Sequence, residues 1–187
     1  MIPKIDIAPL FGPASPERDA IDRAVMGAAS GIGFMTITGF AGADLLTAQD
    51  RSALLGIFRL TEAQKAELLR WNFDPTRKNV YRGWFALQHT TASHKEGIDI
   101  GPDIARPIPV STDDPLLEAT PLPPEFDLPG WRAAAAAYFL AMEQTGAALM
   151  RSVARGLGLA ENQFDSAFEG GISTLRLTRY PKRSAMP

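Results

Sequence analysis

The sequence predicts an α+β chain: a helical N-terminal region, one long backbone helix, and a few strands that begin a β-structure near the C-terminal end. Three observations carry this expectation. Apolar residues recur every three or four positions from Phe139 to Leu157 on an alanine-rich background, the pattern of a single long helix. Phe34–Phe40 and Ile172–Tyr180 are rich in β-branched and aromatic residues, which favour strands. Residues 102–129 hold eight prolines, which favour an extended connection over any regular element.

Taken in order, Ile5-Asp6-Ile7 alternates as a short strand and Pro9 ends it. Ser15-Pro16-Glu17 reads as a helix N-cap, a proline at the first helical position and an acidic first turn. Ile21, Ala24, Val25 and Ala28 form the apolar stripe of that helix, and Gly31 and Gly33 stop it before the strand 34–40. Residues 44–58 read as helical through Leu45, Leu46, Leu54, Leu55 and Phe58. Thr61 and Gln64 then form a capping box opening a helix through Leu69. From Trp71 to Gly101 the periodicity is lost. The long helix follows Pro129-Gly130 and runs from Trp131 to Leu157, roughly 40 Å at 1.5 Å per residue, with Gly156 and Gly158 as its stop. A short helix over 162–168, then Gly170-Gly171, leads to the strand 172–180. The strands at Ile5 and Phe34 are its expected partners, because a lone strand leaves backbone groups and an apolar face unmatched.

The 187 residues suit one domain, and 45% apolar against 21% charged residues is a globular balance. Nineteen basic against 21 acidic residues give a net charge of −2, which argues against a nucleic-acid partner. The absence of cysteine excludes disulfides, cysteine nucleophiles and iron–sulfur clusters. Two histidines exclude any three-imidazole site within one chain. No secretory signal and no 18-residue apolar run is visible, so no membrane span is expected and a cytoplasmic location is.

Gly27-Ala28-Ala29-Ser30-Gly31-Ile32-Gly33 matches the glycine spacing of short-chain dehydrogenases, but a helix precedes it and a strand follows, the reverse of what a pyrophosphate requires. His94-x-Glu96 has the spacing of two iron ligands on one strand face, with His89 as the only third candidate; the segment 88–94 reads as a polar loop instead. Neither a nucleophile elbow nor a P-loop occurs, and the acidic group Glu17, Asp19, Asp22 reads as solvated.

Three stretches in order carry a resemblance. They are Ile2–Leu10 with Gly33–Phe40; Tyr81-Arg82-Gly83-Trp84 with Lys95–Gly101; and Ala154–Leu159 with Leu175-Arg176-Leu177-Thr178-Arg179-Tyr180-Pro181. Together they resemble the N-terminal portion of the isopenicillin N synthase-like, non-haem Fe(II)/2-oxoglutarate dioxygenases, over nearly the whole chain. The resemblance implies the first strands of an incomplete double-stranded β-helix, or jelly roll. Residues 1–110 would then form the N-terminal-type region, and 111–187 the linker, the long helix and the start of the oxygenase domain. It implies Fe(II) and 2-oxoglutarate as cofactors and a small organic substrate for the complete enzyme. The family's iron ligands and its Arg-x-Ser lie downstream of the Tyr-Pro strand, so this chain alone is expected to lack them and be inactive.

Tyr180 matches the family tyrosine that donates to 2-oxoglutarate. Strand parity places Arg176, Thr178 and Tyr180 on one face and Leu175 and Leu177 on the other, so Arg176 is expected either beside a carboxylate of the cofactor or paired with a structural acid. Tyr81 and Arg82 are the expected substrate contacts from the loop. Two alternatives are a non-catalytic interaction module, self-associating through an exposed terminal strand, and a dehydrogenase-like NAD enzyme.

Overall fold

The computed structural model describes residues 1–72, 74, 76–87, 94–111 and 113–182. They form two compact units. One is built from Met1–Leu46 and Leu140–Gly171, the other from Thr47–Phe139 and Ile172 onward.

In the first unit, strands β1 (Lys4–Asp6) and β2 (Thr36–Thr38) pair in parallel with Ile5 opposite Ile37. Helix α1 (Pro16–Ser30) connects them. The Ser15 side chain accepts from the Arg18 N–H, and Glu17 and Asp19 lie in the first turn. The helix closes where the N–H groups of Gly31 and Gly33 donate to the carbonyls of Gly27 and Ala28. The dehydrogenase-like glycines therefore end a helix and present carbonyls where a pyrophosphate needs N–H donors. Ile5, Ile7, Val25, Ala28 and Ala148 make the core, with roughly 1.5–3 kcal/mol expected for each fully buried Ile or Val.

Asp22 corrects an expectation. It is 6% exposed rather than solvated. Its carboxylate accepts from Ser152 Oγ at 2.6 Å and from Arg155 Nε and Nη2 at 2.7 and 2.8 Å. Both partners stand on helix α4 (Trp131–Gly156), so this cluster ties α1 to the part of α4 in its own unit. Helix α5 (Asp165–Phe168) is held by Arg151, whose guanidinium pairs with Asp165 at 2.7 Å.

The second unit holds helices α2 (Ala48–Leu54) and α3 (Glu62–Ala66) and a three-stranded antiparallel sheet. The expected helix 44–58 is broken: Thr47 caps a new start at α2, with 3-10 turns at 43–46 and 55–59 on either side. The Thr61–Gln64 capping box is present as expected, but α3 ends earlier than predicted, because Leu69 bridges to Trp84 of the sheet. Among its described residues the proline-rich connection holds two short 3-10 turns, at 102–104 and 115–117.

The sheet is where the sequence expectation fails most. Its order is β3 (Gly83–Phe85), β4 (Glu96–Ile100), β5 (Leu175–Arg179). β5 pairs with β4 rather than with β1 or β2, and both β3 and β4 come from the stretch in which no periodicity is visible. Every residue of β3 and β4 is buried, so neither strand shows the in–out alternation that betrays a half-buried one. Trp84, Ile98 and Leu177 align across the sheet and pack on Leu54, Ile57, Trp131 and Phe139. The Trp131 indole N–H donates to the Leu54 carbonyl at 2.9 Å.

Candidate functional site

The sheet has two unlike faces. Trp84, Ile98, Ile100, Leu175 and Leu177 share the face that meets the core. Glu96 lies on this side too, 3% exposed, and accepts from Lys65 Nζ and Trp84 Nε1 at 3.1 Å and from Arg179 Nη1 at 2.9 Å. Burial works to lower the Lys65 pKa, but Glu62 and Glu96 beside it outweigh that and raise it.

The opposite face carries Phe85, Gly97, Asp99, Arg176 and Thr178, as the register requires. Asp99 is 1% exposed and lies between two guanidiniums. Arg176 donates to it through Nε and Nη2 at 2.6 and 2.9 Å, and Arg70 through Nη1 at 2.5 Å. Arg70 is steadied in turn by its Nε bond to Asn72 Oδ1 at 3.1 Å. The Phe85 ring lies 5.0 Å from the Arg70 guanidinium and 5.4 Å from that of Arg176, a cation–π contact with each. The ring sits over Gly97, where any Cβ would collide with it. Asp99 raises the Arg176 pKa, and Tyr81 adds to the rise. Next to this cluster a cavity of about 400 Å³ is lined by Leu69, Arg70, Trp71, Asn72, Phe85 and Leu87.

The residues singled out from sequence fall in different settings. Arg176 is paired with a structural acid, Asp99, yet its side chain stays 51% exposed. Tyr180 is 70% exposed and, with Thr178 and Arg179, borders an open groove of about 880 Å³ whose other side includes Arg51, Ser52 and Phe58. The Tyr81 N–H donates to Glu118 Oε1 at 2.6 Å, and the neighbouring N–H groups of Val80 and Arg82 donate to the same carboxylate. Arg82 itself is fully buried. Its guanidinium donates to the carbonyls of Glu118 and Leu116 at 2.6 and 2.5 Å and to Asp103 at 3.2 Å. It lies flat against Gly101, where a Cβ would overlap it. Glu118 and Arg82 thus tie segment 80–82 to segment 116–118 and fix the course of the chain at Tyr81.

His89 lies outside the described residues. The carboxylate of Glu96 is occupied by three donors on the core side, so His94-x-Glu96 does not offer two ligands on one open face. Among the described residues no group of three or more His, Asp and Glu side chains is placed to hold a metal. Sequence reasoning missed Asp99, Arg70 and Phe85. The available signal was Asp99 itself, two residues after Gly97 in an apolar run, since a carboxylate buried there requires a cation.

Solved structures of other proteins share this fold. A Caulobacter crescentus protein described as a 2OG-Fe(II) oxygenase family protein superposes with a TM-score of 0.76 at 14% identity, over 99% of this chain and 58% of that one. A full-length Neurospora crassa protein solved with alpha-KG and thymine gives 0.71 at 22% identity, over 96% and 55%. In sequence the chain is similar to isopenicillin N synthases along its whole length: 27% identical over 191 residues to that of Streptomyces clavuligerus and 26% over 193 to that of Penicillium chrysogenum. The isopenicillin N synthase-like resemblance carried by its motifs is thereby shown. The chain spans 57% of the length of each of these two relatives. No family model matches it. Among the described residues no helix is long and apolar enough to cross a membrane.

Proposed function

We propose that residues 1–187 supply the scaffold and one ligand-facing sheet of a 2-oxoglutarate/Fe(II)-dependent dioxygenase that oxidises a small organic molecule. In this reading residues 1–110 form the N-terminal-type region, and 111–187 carry the long helix into the first ribbon of a jelly roll. The observation that carries it is the sheet β3-β4-β5, with one face sealed on a core and the other lined by Asp99, Arg176, Thr178 and Phe85. The similarity to isopenicillin N synthases over the length of this chain supports it.

Among the described residues no set of side chains fits iron. Glu96 and Asp99 are each saturated by cationic donors, and no third ligand joins either. No chemical step is therefore assigned to this chain. What its own residues do is bind and orient. Tyr180 offers a neutral phenol donor to 2-oxoglutarate. Tyr81 approaches the substrate, while Arg82 and Glu118 hold its loop.

The test is 2-oxoglutarate turnover by residues 1–187 with Fe(II), ascorbate and O₂. Succinate at the level of a metal-free control is the expected result; succinate above that control would overturn the assignment of the iron ligands to other residues.

A further inference from the structure

We propose that the Arg70–Asp99–Arg176 cluster seats a substrate carboxylate, so that this face accepts an organic acid with an apolar body; the proposal rests on the oxygenase reading above and names its substrate class. The charge count is the first argument. Two guanidiniums share one buried carboxylate, which leaves one positive charge of the cluster in surplus where the arginines reach the surface. Asp99 is too deeply buried to meet a ligand, whereas the side chains of Arg176 and Arg70 are 51% and 20% exposed.

The second argument is preorganisation. Arg176 spends Nε and Nη2 on Asp99, and Arg70 spends Nη1 and Nε on Asp99 and Asn72. Nη1 of Arg176 and Nη2 of Arg70 take no part in these bonds. Both side chains are already immobilised by Asp99 and by the Phe85 ring between them, so an incoming anion meets fixed donors and little rotamer entropy is lost.

The third is the cavity beside the cluster. Its walls include Leu69, Trp71, Phe85 and Leu87, and among its described lining residues Arg70 is the one cation. One charged end and apolar walls suit a monocarboxylate better than a dicarboxylate, which would need a second cation. Asp99 is then a positioning residue, acting through the two arginines.

Benzoate is a suitable probe, titrated into residues 1–187 in low-chloride buffer and followed by ¹⁵N NMR of the arginine Nε–H and tryptophan indole signals. Saturable binding is expected in the millimolar range or tighter, at least several-fold better than benzamide and than 2-oxoglutarate. Arg176→Lys and Arg70→Lys should each weaken it about tenfold, the loss of one charge-assisted hydrogen bond. Arg23→Ala, in the other unit, should leave it unchanged. Benzamide binding as well as benzoate would overturn the proposal by removing the charge, and 2-oxoglutarate binding more tightly would reassign the cluster to the cofactor. These comparisons use the unaltered chain, so misfolding of a variant does not blunt them. Because the titration needs neither iron nor turnover, it can fail while the oxygenase reading stands, and the succinate assay can fail while benzoate still binds.

Discussion

Arg82 shows how a buried charge can belong to a loop's architecture rather than to its ligand. Removing a guanidinium from water costs several kcal/mol, and here two carbonyls and a carboxylate offset it. Truncation to alanine would leave the carbonyls of Leu116 and Glu118 without their guanidinium donor. Arg82→Ala should therefore destabilise the second unit by about 3–5 kcal/mol, read as a lower urea midpoint. A loss under about 1 kcal/mol would show that water replaces the guanidinium cheaply. The sequence places Arg82 beside Tyr81 in a substrate loop, and nothing local hints otherwise, because its acceptors at Leu116 and Glu118 lie 34 and 36 residues away. Arg176 was more legible: strand parity alone puts it on the face away from Leu175 and Leu177, where Asp99 is found.

At the scale of elements, the pairing of α1 with α4 depends on a carboxylate that must stay ionised. Burial pushes the Asp22 pKa up, but donors from Arg155 and Ser152 prevail and hold it below the ordinary aspartate value. A pKa lower in the folded than in the unfolded chain means that its stabilisation is complete above about pH 4 and is lost as pH falls through the folded value. Stability of the first unit should accordingly drop below about pH 4, and Asp22→Asn should be less stable at pH 7 yet show a flatter acid limb. Thermal melts between about pH 7 and 3 check this; equal acid limbs in both proteins would contradict it. The two helices themselves are legible in sequence, since a cap, a first-helical-position proline and a 3.6-residue stripe are local signals. β3 and β4 are not. Their buried charges, Glu96 and Asp99, break the apolar pattern, and the cations that neutralise them come from α3, from residue 70 and from β5.

Over the whole molecule, an α+β scaffold in which a β-structure begins near the C-terminal end is what the long helix and the terminal strand lead one to expect, although the strand's true partners lie in the stretch that looks irregular. β5 stands at an edge of its sheet among the described residues, with unpaired backbone groups on one side. The central proposal is that this scaffold supplies a ligand face of an oxygenase and that its described residues do not hold the iron. Anaerobic calorimetric titration of residues 1–187 with Fe(II) measures that directly. The account predicts no saturable uptake at one equivalent. A one-to-one, tightly bound Fe(II) that is lost on His94→Ala would contradict it.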